Sequence, residues 1–212
     1  MHKLTLPAAL CVLGLSAASA QAASFSFSGI FEGDDDVQLF DFSVGAASTV
    51  TLVSYSYAGG VQADGTIVAA GGFDPILALF DAAGNLIDQF DDGPNPVPAD
   101  PVTGLEYDTF LDIAVDAGQY TAAIMQYNNF APANIGQAFA RQGDPFFTAG
   151  FGCSAGQFCD AEGNNRTAAW AFDILGVDDA VIPNPAPVPL PASAPLLLAG
   201  LAAINIVRRR KS

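Results

Sequence analysis

Phe110-Leu111-Asp112-Ile113-Ala114-Val115-Asp116-Ala117-Gly118-Gln119-Tyr120-Thr121-Ala122-Ala123-Ile124-Met125 reads as strand, turn and strand. Apolar residues recur at every second position: Leu111, Ile113 and Val115 before Ala117-Gly118, then Tyr120, Ala122 and Ile124 after it. A period of two puts one set of side chains on one face of a pleated strand, and the small pair marks the reversal. The alternation returns where Val37, Leu39 and Asp41 oppose Gln38, Phe40 and Phe42, and where Trp170, Phe172 and Ile174 oppose Ala171 and Asp173. Phe25 and Phe27 open a first strand. Gly59-Gly60, Asp64-Gly65, Gly71-Gly72, Ala83-Gly84-Asn85 and Asp92-Gly93-Pro94 supply further turns. Between Ala23 and Ile182 no long segment has the 3.6 period of a helix. The expected fold is therefore all-β, an antiparallel β-sandwich with a jelly-roll-like strand order. Phe40–Thr51 and Phe110–Thr121 echo each other, as two hairpins with the same turn chemistry would.

The two ends have a different character. Met1–Ala22 carries His2 and Lys3, then the apolar Leu4–Leu15, then Ala20-Gln21-Ala22, the three parts of a cleavable signal peptide helix. Signal peptidase would cut before Ala23, leaving an acidic domain over residues 23–182. Prolines at 183, 185, 187, 189 and 191 favour an extended spacer over residues 183–189. The uncharged Leu190–Val207 is long enough for a short transmembrane helix, and Arg208, Arg209, Arg210 and Lys211 would hold its end in the cytoplasm.

Val188-Pro189-Leu190-Pro191-Ala192, the Leu/Ala/Gly helix and the Arg cluster, in that order over residues 188–212, resemble the VPLPA variant of the PEP-CTERM sorting signal. The resemblance implies recognition by exosortase, a membrane enzyme that removes the tail. It implies a transient inner-membrane stage, then the cell surface or extracellular space of a bacterium that often makes exopolysaccharide. A second resemblance covers Phe25 to Tyr127. Gly33-Asp34-Asp35-Asp36-Val37-Gln38-Leu39-Phe40-Asp41-Phe42-Ser43-Val44, Phe73-Asp74-Pro75-Ile76-Leu77-Ala78-Leu79-Phe80-Asp81-Ala82-Ala83-Gly84, Asp91-Asp92-Gly93 and Ala117-Gly118-Gln119-Tyr120 are similar to successive motifs of the bacterial pre-peptidase C-terminal domain. That likeness implies a β-sandwich accessory module, with calcium or matrix binding in some relatives. After Asn128 the chain departs from the pattern with an insertion that carries two cysteines.

Charge and cysteine usage agree with export. Of seven cations, Lys3, Arg208, Arg209, Arg210 and Lys211 lie in the two removable ends, so only Arg141 and Arg166 face the 22 acids of residues 23–182, a net charge of −20. Such a surface repels nucleic acid and attracts divalent cations. Cys11 leaves with the signal peptide, and the remaining pair, Cys153 and Cys159, reads as a disulfide closing a small loop.

The chemistry available is narrow. His2 is the sole histidine and would be cleaved, which removes Ser-His-Asp, Cys-His and histidine-supported zinc sites from the exported protein. No phosphate-binding or dinucleotide fingerprint occurs. The expectation is a non-enzymatic surface or extracellular-matrix protein associated with exopolysaccharide or biofilm. One alternative is a calcium- or carbohydrate-binding accessory module, the sugar stacking on Trp170, Tyr55, Tyr57, Tyr107, Tyr120 and Tyr127; a weaker one is a carboxylate-based glycosidase. Calcium is the single cofactor expected. Its candidate ligands are Asp34 and Asp36, which flank Asp35 in one run, Asp91 and Asp92 in another, and Asp74 and Asp81 beside a hairpin, since hard oxygen ligands suit Ca²⁺. Asn165-Arg166-Thr167 matches a glycosylation acceptor formally, but a bacterial sorting tail argues against that use.

Overall fold

The computed structural model describes residues 22–92 and 97–183. The expected signal helix, most of the proline spacer, the VPLPA motif, the sorting helix, the Arg cluster and the Gly93-Pro94 part of one turn lie outside the described residues.

The described chain is built from antiparallel strands, with no α-helix among those residues. In order they are β1 (Ala23–Ile30), β2 (Val37–Val44), β3 (Ser48–Ser54), β4 (Gly60–Val61), β5 (Ile67–Val68), β6 (Pro75–Phe80), β7 (Leu86–Asp91), β8 (Phe110–Val115), β9 (Gly118–Gln126), β10 (Ala169–Val177) and β11 (Asp179–Val181). A 3₁₀ turn covers Phe147–Phe151. One sheet runs β1-β10-β3-β8, a second runs β11-β2-β9-β6-β7, and β4-β5 form a separate ribbon.

The two larger sheets face each other across one core. Phe40, Phe42 and Val44 of β2, Leu77 and Leu79 of β6, and Ala122 and Ile124 of β9 meet Val50 and Leu52 of β3, Leu111 and Val115 of β8, and Trp170, Phe172 and Ile174 of β10. The period of two read in β2, β8, β9 and β10 is thus the inward face of each strand. Phe40 sits at the centre, with its ring 5.0 Å from Phe172 and 5.7 Å from Trp170, both on the opposing sheet. Each fully buried aromatic of this kind stabilises the fold by roughly 1.5–3 kcal/mol. Trp170 and Tyr57 are interior, so they are unavailable as sugar-stacking rings.

The second sheet is covered on its outer face too. Ile76, Ala78, Phe80, Ala123 and Met125 form a second cluster under Tyr127 and under Phe130, Ala131, Ile135 and Phe139 of the insertion. All six residues of β6 are consequently buried, which explains why Pro75–Phe80 reads as a continuous apolar run without alternation. The insertion is pinned by its disulfide, Cys153–Cys159, with Cα atoms 5.5 Å apart, inside the ordinary range for that bond. Closing so short a loop contributes about 2 kcal/mol in the chain-entropy account.

On the other sheet the β4-β5 ribbon folds over β10. The Gln62 side-chain amide donates to the carbonyls of Phe27 (3.0 Å) and Phe172 (3.2 Å) and to Asp173 (3.0 Å), while the Ala63 N–H donates to the other Asp173 oxygen at 2.7 Å. Asp173, an outward residue of β10, is buried and satisfied in this way.

Candidate metal centre

An antiparallel hairpin brings the start of its first strand to the end of its second. In β6 and β7 the pairing sets Ile76 opposite Asp91. Asp74 lies two residues before Ile76 and shares its face, and Asp92 follows Asp91. At the closed end of the same hairpin, Gly84 takes φ +80°, and a Cβ there would stand 2.7 Å from Ile135, so the reversal requires glycine. The consequence at the open end is that one carboxylate oxygen from each of Asp74, Asp91 and Asp92 falls within 4.8 Å of the others.

Asp74 is 3 % exposed, and neither of its oxygens accepts a hydrogen bond among the described residues; Oδ1 is fully enclosed. Asp92 Oδ1 is likewise buried without a partner, and Asp92 adopts φ 62°. Burial first, then the Asp91 and Asp92 charges, push the Asp74 carboxyl well above its ordinary range. Burial and the Asp92 charge push Asp91 up to about 7. Asp92 is raised by burial and then by the charge of Glu162. Three carboxyls that disfavour their own ionisation have been packed together, and no cation among the described residues is paired with them.

The other interior aspartates show how this fold normally satisfies such a group. Asp108 accepts from the Ser54 hydroxyl at 2.8 Å and from the Tyr57 and Ala58 N–H groups at 3.1 and 2.7 Å. Asp100 accepts from Val102 and Thr103 and pairs with Arg166 at 3.3 Å. The Arg166 guanidinium lies 3.7 Å from the centre of the Tyr57 ring. Asp160 accepts from the Tyr57 hydroxyl at 2.6 Å and from the Asn164 N–H at 2.8 Å. Against that pattern the Asp74 carboxylate stands apart.

The remaining expected ligands are placed elsewhere and employed otherwise. Asp34 accepts from the Thr148 N–H at 3.0 Å and from the Thr148 hydroxyl, fastening the β1–β2 loop to the insertion. Asp36 accepts from the Glu32 and Gly33 N–H groups at 2.7 and 3.0 Å, closing its own loop. Asp81 holds the β6–β7 turn by accepting from the Asn85 side-chain amide at 3.1 Å and from the Asn85 and Ala83 N–H groups at 2.8 and 2.9 Å, and these bonds lower its pKa. The fold brings together Asp74, Asp91 and Asp92, and does not bring Asp34, Asp36 or Asp81 to them.

Three neighbours were not legible in the sequence. Tyr127 joins the site through its backbone, whose N–H donates to the Asp74 carbonyl at 2.7 Å. Burial, then the charges of Asp91 and Asp74, raise its hydroxyl pKa. The Tyr107 hydroxyl is raised by burial and by Glu162, its immediate partner. Glu162 itself comes from the insertion, far along the chain.

The donor set fits a hard cation. Oxygens bound to one Ca²⁺ at about 2.4 Å stand at most about 4.8 Å apart, and these three carboxylates supply one oxygen each within that limit. A divalent ion would cancel their repulsion and occupy the lone pairs that no N–H or O–H reaches. The chain matches no protein-family profile and no curated protein.

Proposed function

We propose that this is an exported, tail-sorted, non-enzymatic β-sandwich of the bacterial surface or extracellular matrix, and that it binds one Ca²⁺ through Asp74, Asp91 and Asp92. The observation that carries the calcium reading is the Asp74 carboxylate, buried and without a hydrogen bond to either oxygen, whereas Asp34, Asp100, Asp108, Asp160 and Asp173, the other buried aspartates, each accept at least one. The ion's role here is structural: it would tie the start of β6 to the residue after β7. A glycosidase centred on this cluster is disfavoured because Asp74, at 3 % exposure, is out of reach of a sugar ring.

The jelly-roll reading is supported by strand order. Leaving out β4, β5 and β11, the eight long strands run first-eighth-third-sixth in one sheet and second-seventh-fourth-fifth in the other. Successive strands thus cross repeatedly between sheets, as two Greek keys folded together require. The accessory-module likeness to the pre-peptidase C-terminal domain is supported by Asp74 and Asp91-Asp92 meeting at one place. The sorting reading rests on the signal peptide and on the VPLPA, helix and Arg-cluster sequence.

Two measurements test these readings. Calorimetric titration of chelator-treated protein should give one Ca²⁺ per chain, and Asp74→Asn should remove that binding; an uptake unaltered by Asp74→Asn would refute the site. Intact-mass analysis of surface material from the native host should find a chain starting at Ala23 and lacking Arg208–Lys211. The tail should persist in cells without exosortase. A wild-type surface protein with an intact C-terminus defeats the sorting reading.

A further inference from the structure

We propose that the cleft between the β1–β2 loop and the insertion binds a neutral sugar chain. The proposal rests on the matrix reading above for its setting and is independent of the calcium centre. The cleft has a volume of about 530 Å³, the size of an ordinary small-ligand site. Asp35, Asp36 and Val37 form one wall, and Ile135, Phe139 and Gln142 of the insertion form the other.

Hydrogen bonds hold these walls in place. The fully buried Asn129 side chain donates to the Asp35 carbonyl at 2.9 Å and accepts from the Arg141 N–H at 2.8 Å. Gln142 follows Arg141, so one buried amide positions both walls. The Gly143 N–H adds a second bridge, donating to Asp35 Oδ2 at 2.7 Å. On the opposite flank the Ile135 N–H donates to the Gly84 carbonyl at 2.8 Å, which ties that wall to the β6–β7 turn. Phe139 is fixed by packing on the outer cluster of the second sheet. A ligand therefore meets a cleft already formed, and binding it requires little ordering of the protein.

The free groups of the cleft define the ligand. Asp35 and Asp36 spend Oδ2 on backbone N–H groups, and Oδ1 of each accepts nothing among the described residues. Gln142 is exposed, with its side-chain amide facing solvent. A carboxylate oxygen accepts from hydroxyl groups, and an amide both donates and accepts. Val37, Ile135 and Phe139, all half-buried, supply the apolar surface that the C–H face of a sugar ring covers. Charge narrows the choice further. Two carboxylates and no cation line the cleft, so a uronate, sulfate or phosphate is repelled. Neither carboxylate belongs to a group of three whose oxygens lie within 4.8 Å, which argues against a metal ion here. A wholly apolar ligand would strip water from two carboxylates and return nothing. A neutral sugar offers hydroxyl donors and an apolar ring face together.

Affinity electrophoresis of the full chain tests the site, with dextran, laminarin or galactomannan cast into native gels and acidic alginate as the contrast. At least one of the three neutral polysaccharides should retard the protein, in chelator as well as in calcium, and alginate should not. Gln142→Ala and Asp35→Asn should each raise the dissociation constant for that polysaccharide roughly threefold to tenfold, the loss of one hydrogen bond. Asp74→Asn should keep wild-type retardation, which separates the cleft from the calcium centre. Asp116→Asn, an exposed acid on the β8–β9 turn, should keep it too. Wild-type protein that none of the three retards overturns the proposal, while the surface reading stands or falls separately on the intact-mass measurement. Equal affinity in wild type, Gln142→Ala and Asp35→Asn overturns it as well, as does retardation by alginate alone. Should spermidine bind in place of the polysaccharides and lose that binding in Asp35→Asn, the cleft takes an organic cation and the sugar reading falls.

Discussion

Stripped of divalent ions, the protein should unfold at a midpoint that calcium raises by about 5–10 °C and that sodium at matched ionic strength does not raise. The size follows from linkage: a ligand bound by the folded chain alone adds about 2.7 kcal/mol at a hundredfold excess over its Kd, and each kcal/mol moves the midpoint of a domain this size by about 2–4 °C. Sodium is the necessary control because a region of net charge −20 gains from screening by any salt. The sharper arm is Asp74→Asn. It keeps the shape of the buried side chain and removes a charge that burial and two neighbouring carboxylates already disfavour. The metal-free variant should therefore melt at or above the metal-free wild type, and calcium should add nothing beyond sodium. A ligand substitution that stabilises the empty protein while abolishing the ion's benefit separates a charge-frustrated site from a merely structural aspartate. Asp81→Ala should do the opposite: it loosens the β6–β7 turn, whose N–H groups Asp81 accepts, and keeps the calcium response. Sodium matching calcium, or Asp74→Asn responding as wild type does, would end the proposal.

What the sequence disclosed and withheld follows from the range of each signal. Alternation is local, so Phe40 and Phe42, Leu111 and Val115, and Trp170 and Phe172 declared their inward face without knowledge of a partner. Pro75–Phe80 did not, because a strand buried on both sides has no polar face to alternate with, and its outer cover, Phe130 to Phe139, comes from an insertion about fifty residues later. Among the candidate ligands the divide is similar. Asp34, Asp36 and Asp81 each lie in a turn that uses them, as short polar side chains near reversals commonly are. Asp74 and Asp91 were separable from them in principle: once Ala83-Gly84-Asn85 is a hairpin turn, antiparallel pairing must carry the residue before β6 toward the residue after β7.

The metal-free protein should lose stability as pH rises through neutrality. For a carboxyl whose folded pKa lies above its unfolded value, the protonated form is favoured by folding. Its contribution is fully present below the unfolded value near 4 and is lost as pH rises through the folded one. For Asp91 that folded value is about 7, and Asp74 is raised in the same direction by burial and by Asp91 and Asp92. Between pH 5 and pH 8 the chelated protein should therefore lose about 1–2 kcal/mol of unfolding free energy, a figure discounted for the partial exposure of Asp91. Asp81 and Asp100, whose pKa values are lowered, act in the other direction only below about pH 4, outside that window. General repulsion would also weaken so acidic a domain as pH rises, and two comparisons isolate the site. Asp91→Asn should flatten most of the decline while leaving the rest of the negative surface in place. Saturating calcium should flatten it as well, since an ion held by three ionised carboxylates replaces protons as the partner of that charge. Denaturant unfolding with chelator at half-unit pH steps measures all three curves. A wild-type slope that survives unchanged in Asp91→Asn would assign the effect to net charge and remove the cluster from it.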